Sequence, residues 1–358
     1  MLRSAIKISI ALGAGLIAAV LAGEAVFSAL PVNRVAWGAL ATPEWRGPRL
    51  EPDVTTTYST EWDLSEANRL RINRMGFHSA LEYQPGTPMV ALLGDSYIQA
   101  MMIPDDRTID GLLNGRRADN PAIYNLGASG AQLPTYTRMA AEARRHYSPQ
   151  GAVVLVSRND IYESMLPVTG FENYRRNGEE WLPPQYLPPE ARRSPVKAAV
   201  MHSSLFNYLR GNLKMGQTPV FKGGRPGDHE PAAVVGAYAP MSPDECRPIY
   251  RHFLETFPGE AGLVPAQVVL VFDSQRSLLY PGGKPSPAAD TVCLPEFAAA
   301  ARAAGFGVIE LESIFRAEYA SQPRRFDFWP RDVHWNEEGH RIVAREIERE
   351  LRARGVWH

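Results

Sequence analysis

The chain has 358 residues, 45% of them hydrophobic and 22% charged, a globular composition that excludes a disordered or fibrous polymer. Lys plus Arg is 38 and Asp plus Glu is 39, so the formal net charge is -1. That balance removes the electrostatic case for a nucleic-acid partner, and none is expected. The length allows one large α/β domain or two smaller ones.

Residues 1–31 differ from the rest of the chain. Arg3 and Lys7 precede an uncharged run from Ile8 to Gly23, Glu24 interrupts it, and Ala25 to Leu30 resume it before Pro31. As a helix, Ile8 to Leu30 is long enough to cross a hydrocarbon core of about 30 Å. The basic flank comes first and is expected to stay in the cytoplasm. The chain then reads as a single-pass protein of the cell inner membrane, with the remainder periplasmic or extracellular. A cleaved signal peptide, with small residues around Ala22 and Ala25, stays open beside the signal anchor, as does a buried soluble helix. Glu24 is costly in lipid unless it lies near the far headgroups.

Residues 32–87 form a juxtamembrane segment of mixed polarity with few periodic runs, in which Asn73 to His78 reads as a turn. The main domain is expected over 88–356. Its strands are short apolar runs, each ended by polar or glycine residues: Pro88–Leu93, Ala122–Asn125, Ala152–Val156, Gln267–Phe272 and the weaker Gly307–Glu310. Helical patterns separate them, at Tyr136–Tyr147, Pro295–Ala304 and Glu337–Arg354, the last with Val343, Ile347 and Leu351 on one face. Strands alternating with helices predict an open parallel α/β sheet covered on both faces, with the site on the loops after the strand ends. Residues 161–240 break this rhythm with two Pro- or Gly-rich stretches, Leu182–Pro189 and Phe221–Gly227, and a short amphipathic helix over His202–Leu213. They read as an insertion that caps the site or rests near the membrane. Cys246 and Cys293 lack metal-ligand spacing and are either one disulfide or two buried thiols.

Chemistry is suggested by Ser96, which follows the first core strand, and His334, which precedes the last helix. A serine hydroxyl needs a base to take its proton, and an imidazole both takes and returns one near neutral pH. Asp332 lies two residues before His334, a spacing that puts both side chains on one side of an extended stretch. The oxyanion of a tetrahedral intermediate needs donors. The candidates are the backbone N–H groups of Ser96 and Gly130 and the side-chain amide of Asn159. Asp273 reads as a solvated strand-end carboxylate, Arg158 as an acidic-sugar contact or a surface salt bridge, and Asp95 and Asp160 as loop braces. Trp335 is expected to pack under His334, and His340 is given no catalytic role.

Taken together, Gly94-Asp95-Ser96, Asn125 to Gly130, Ser157 to Asp160 and Asp332-Val333-His334 resemble, in order, the motifs of the SGNH hydrolases, or GDSL-like esterases and lipases. The resemblance implies a three-layer flavodoxin-like fold behind the transmembrane helix, ester hydrolysis or acyl transfer, and no cofactor or metal. It assigns Ser96 as nucleophile, His334 and Asp332 as base and acid, and Ser96, Gly130 and Asn159 to the oxyanion hole. Two positions depart from the pattern: Ser157 stands where glycine is usual, and one residue rather than two separates Asp332 from His334. The second is similar to branches that O-acetylate bacterial polysaccharides, and it leaves Asp327 as an alternative acid. A short acyl ester on a cell-envelope polysaccharide is therefore the expected substrate, with an O-acetyltransferase or a non-catalytic glycan-binding scaffold as alternatives.

Overall fold

The five apolar runs lie side by side in a computed structural model that describes residues 2–35, 45–177, 180–187, 200, 202–215, 241–283, 292–328 and 331–358. Strands in chain order are β1 (Val54–Thr60), β2 (Ser65–Ile72), β3 (Pro88–Leu93), β4 (Ala122–Asn125), β5 (Ser148–Val156), β6 (Glu172–Asn177), β7 (Glu180–Tyr186), β8 (Val268–Phe272) and β9 (Gly307–Glu310). One five-stranded sheet has the order β4-β3-β5-β8-β9, and every pairing in it is parallel. This is the flavodoxin-like order. Its direction reverses between β3 and β5, the crevice where such sheets hold their ligands.

The sheet is apolar on both faces because both are covered. Met89, Ala91 and Leu93 of β3 face a core shared with the helices Leu133–His146, Pro243–Ala261 and Leu294–Ala303. Val90 and Leu92 face the other core, shared with Ile109–Asn114, Leu311–Ser321 and Glu337–Ala353. Val343, Ile347 and Leu351 of the last helix are buried there, and each contributes about 1.5–3 kcal/mol. Cys246, on the helix Pro243–Ala261, is joined to Cys293 by a disulfide with its Cα atoms 6.2 Å apart.

Residues 45–87 are more regular than their sequence suggests. β1 and β2 pair as an antiparallel hairpin over a small core of Val35, Leu50, Leu70, Ile72 and Met101. Between β5 and the helix Pro243–Ala261, β6 and β7 form a second hairpin, and the helical turn Ser204–Asn207 runs on into a π-helix over Tyr208–Asn212. The stretch Phe221–Gly227, Pro188 and Pro189 lie outside the described residues. The apolar N-terminal helix spans Leu2–Ser28. Its portion Ile6–Ser28 is long and apolar enough to cross a membrane by length and composition, and Ile6–Ala22 is exposed throughout.

Candidate active site

β3 ends at Leu93, and the chain turns through Gly94 and Asp95 into the one-turn helix Ser96–Gln99. A serine at such a place commonly caps the helix. Here Asp95 does so, accepting a hydrogen bond from the Tyr97 backbone N–H at 2.9 Å. The Ser96 hydroxyl is left free, and it meets His334 Nε2 at 2.6 Å. On the other side of the ring Nδ1 hydrogen-bonds Asp332 Oδ1, which also accepts the His334 backbone N–H at 2.8 Å. With the Nδ1 proton held by Asp332, Nε2 is the nitrogen left to accept from Ser96. The His334 and Asp332 side chains are 20% and 18% exposed, so the pair is reached by solvent rather than sealed in the core.

Electrostatics follow from this placement. Burial pushes the Asp332 carboxyl up, but the charge of His334 and its two N–H donors outweigh it and hold the carboxyl at about 2. Burial pulls the His334 imidazole down, yet Asp332 and Asp95 raise it above its ordinary value of 6.5. The ring nitrogen Nδ1 is taken by Asp332, not Asp327. The Asp327 carboxylate pairs instead with Arg276 at 3.3 Å.

The loop after β4 closes against the Ser96 turn. Ala128 N–H donates to Gly94 O at 3.0 Å, and a Cβ on Gly127 would lie 2.3 Å from Gln99 N, so only glycine fits there. Gly130 follows with φ +77°, also a glycine conformation. The third loop is braced by Asp160, which accepts from Ser157 N–H at 2.9 Å and from Ser157 Oγ at 2.7 Å. That second bond uses the hydroxyl standing where the family pattern has glycine. Burial and the nearby Asp95 push the Asp160 carboxyl well up. Among the described residues the backbone N–H groups of Ser96 and Gly130 have no hydrogen-bond partner, and the Asn159 Oδ1 is buried without one.

Three expectations need correction. Asp273 is not solvated: it is buried, bound to Arg276 and to Trp335 Nε1 at 3.2 Å. Its strand end is covered by the last loop, which the local sequence does not reveal. Trp335 lies behind Tyr97, their ring centres 5.0 Å apart, and Tyr97 takes the place beside His334 at 4.6 Å. Arg158 forms no surface salt bridge among the described residues, and its Nη1 is buried without a hydrogen-bond partner.

Sequence reasoning also missed a buried arginine. The Arg276 guanidinium reaches Val333 O at 2.8 Å, Tyr97 Oη at 3.0 Å, Asp273 and Asp327. Tyr97 Oη itself donates to Val333 O at 3.0 Å. The carbonyl between Asp332 and His334 thus has two donors that fix the loop's height over Ser96. The available signal was Asp273 followed three residues later by a cation at a strand end.

No family model matches the chain, and no curated protein matches it. Its structural neighbours include a lipolytic G-D-S-L protein. That protein, from Veillonella parvula, is 12% identical, with 73% of this chain and 97% of that one covered at a TM-score of 0.37. The acetylxylan esterase Axe2 from Geobacillus stearothermophilus is 13% identical, with 76% and 96% covered and a TM-score of 0.35. An alpha/beta hydrolase, LAE5, from the Lake Arreo metagenome is 13% identical, with 77% and 98% covered and a TM-score of 0.37. At such identities and scores no function follows from the likeness; it has to be read from the site.

Proposed function

We propose that the chain is a serine-dependent acyl-ester enzyme, held in the membrane by its N-terminal helix, that acts on short O-acyl groups of a cell-envelope polysaccharide. The observation that carries this reading is the hydrogen-bonded row Ser96–His334–Asp332 at the topological switch point of the sheet. Ser96 Oγ attacks the ester carbonyl carbon while its proton passes to His334 Nε2. Asp332 holds the ring and balances the imidazolium. The carbonyl oxygen, now an anion, faces the N–H groups of Ser96 and Gly130 and the Asn159 amide, each such donor being worth about a 10²–10³ rate factor. Collapse expels the alcohol, which takes the proton back from Nε2 and leaves an acyl-serine. Water or a second sugar hydroxyl then attacks that ester by the same route.

Support for a glycan is chemical. The single-residue spacing of Asp332 and His334 resembles polysaccharide-acetylating branches, and the anchor keeps the enzyme at the envelope. Water and a sugar acceptor share one acyl-serine, so hydrolase and transferase differ only in what resolves it. An acyl-length series on the purified enzyme, with and without an oligosaccharide acceptor, tests the reading. Acetyl esters should turn over faster than octanoyl esters, and acetylated oligosaccharide among the products would mark a transferase. Turnover that improves with each added methylene would overturn the glycan reading in favour of a lipase-like enzyme.

A further inference from the structure

The one carboxylate in the apolar helix is engaged by the catalytic domain. Glu24 accepts hydrogen bonds from Ser203 Oγ at 2.7 Å, from Ser204 N–H at 2.7 Å and from Leu205 N–H at 3.0 Å. It thereby satisfies the first N–H groups of the turn Ser204–Asn207, groups that a helix start always leaves open. Around this cap the contacts are dense. Phe27 stacks on Tyr208 with ring centres 4.1 Å apart, and the Leu205 side chain comes so close that a Cβ on Gly23 would lie 3.2 Å from it. Asn212 Oδ1 accepts from Asn33 N–H at 3.0 Å, and Asn212 Nδ2 donates to Ser59 Oγ at 2.9 Å. Arg34 N–H donates to Thr57 O at 2.8 Å. The end of the apolar helix is therefore bolted both to the insertion and to β1. Cleavage after Ala25 would remove Glu24, and cleavage after Ala22 would leave it one residue from a new terminus.

Apolar residues without cover surround the same point. Trp62, at the tip of the β1–β2 hairpin, is 72% exposed and Met215 50%, and Leu30, Val200 and Leu213 are exposed as well. Tyr208 Oη donates to Trp62 O at 2.9 Å, so the hairpin tip and the insertion form one surface. Tyr208 and Leu205 join that surface to Phe27 and Gly23, at the end of the helix whose stretch Ile6–Ala22 is exposed. From Lys7 to Glu24 the helix rises about 25 Å at 1.5 Å per residue, close to the ~30 Å of a hydrocarbon core. With Lys7 at one boundary, Glu24 and its cap emerge at the other, in the zone where Trp and Tyr side chains are favoured.

We infer that Trp62, Leu30, Val200 and residues 202–215 form a collar that seats the catalytic domain on the lipid headgroups around a retained anchor; this rests on the proposed role of the apolar helix as that anchor. The collar also fixes the level of the site. Arg331, next to Asp332, donates to Ser65 Oγ at 2.7 Å, three residues from Trp62.

The experiment uses the full chain in vesicles of phosphatidylethanolamine and phosphatidylglycerol. Because the two native cysteines are bridged, one nitroxide is attached in turn to Leu16→Cys, Trp62→Cys, Met215→Cys and, as the aqueous reference, Arg349→Cys. Labels at 62 and 215 should collide with lipid-dissolved oxygen several-fold more, relative to a water-soluble nickel reagent, than the label at 349. Glu24→Ala should move both towards the aqueous value while the label at 16 stays in lipid. Aqueous values at 62 and 215 with a lipid value at 16 would overturn the collar and leave the anchor standing. An intact mass lacking the first residues would overturn the anchor itself. Spin–spin broadening at 62 and 215 that disappears on dilution with unlabelled protein would make a second copy the occupant and overturn the bilayer assignment.

Discussion

Asp95 caps the turn after β3, so the Ser96 hydroxyl is not spent on its own helix and points to His334. Asp332 then decides the tautomer. Replacing Asp332 with Asn should keep the fold and lower kcat by about 10³–10⁴, because the ring loses its orienting acceptor. The base must be neutral to act, and its pKa lies above the ordinary imidazole value. The acid limb of kcat/KM should therefore fall above about pH 6.5 and move down in Asp332→Asn, which removes the charge that raises it; a limb that does not move would contradict the pairing. Arg276 acts differently, through the loop. It is buried with two carboxylates, and Arg276→Met leaves both without their cation. Urea unfolding should show a loss of about 3–5 kcal/mol, and kcat should fall more than KM rises, since Val333 O loses a donor that positions His334.

Among the elements, the helices Pro243–Ala261 and Leu294–Ala303 are tied by the bridge Cys246–Cys293, which closes a separation of 47 residues. Chain-entropy reasoning assigns such a loop about 4 kcal/mol. Thiol labelling of the denatured, unreduced protein should modify neither cysteine, and Cys246→Ala should unfold at lower denaturant. Sequence made the five sheet strands legible because a strand covered on both faces must be largely apolar, as β8 is from end to end. It did not reveal the helix Pro243–Ala261, where Pro248 and Pro258 argue against a helix; a capping box at Ser242 and Glu245 starts it all the same. The hairpin β1–β2 stayed hidden because its threonines and charges make a weak alternation, and the core under its Leu70 and Ile72 is completed by Val35, Leu50 and Met101 from outside it. The site was legible where chemistry needs a residue type at a set place in the fold, as at Ser96 after β3 and His334 before the last helix. Tyr97, Asp273 and Arg276 were not, because their partners lie far along the chain and only the fold brings them together.

Across the whole molecule one chain of contacts runs from the apolar helix to the chemistry: Glu24 to the insertion, Tyr208 to the hairpin tip, Ser65 to Arg331, and His334 to Ser96. These contacts make the apolar helix and the site parts of one body, which under the proposed anchoring sets the height of the site over the membrane. All of it depends on Ser96 being an activated nucleophile, and that is open to direct measurement. The full-length protein is treated with a fluorophosphonate, which bonds only to a serine whose proton a neighbouring base removes, and the adduct is mapped by peptide mass. The prediction is one adduct, on Ser96, absent in Ser96→Ala and strongly slowed in His334→Ala. No adduct on the folded protein, or labelling of another residue that persists in Ser96→Ala, would contradict the assignment.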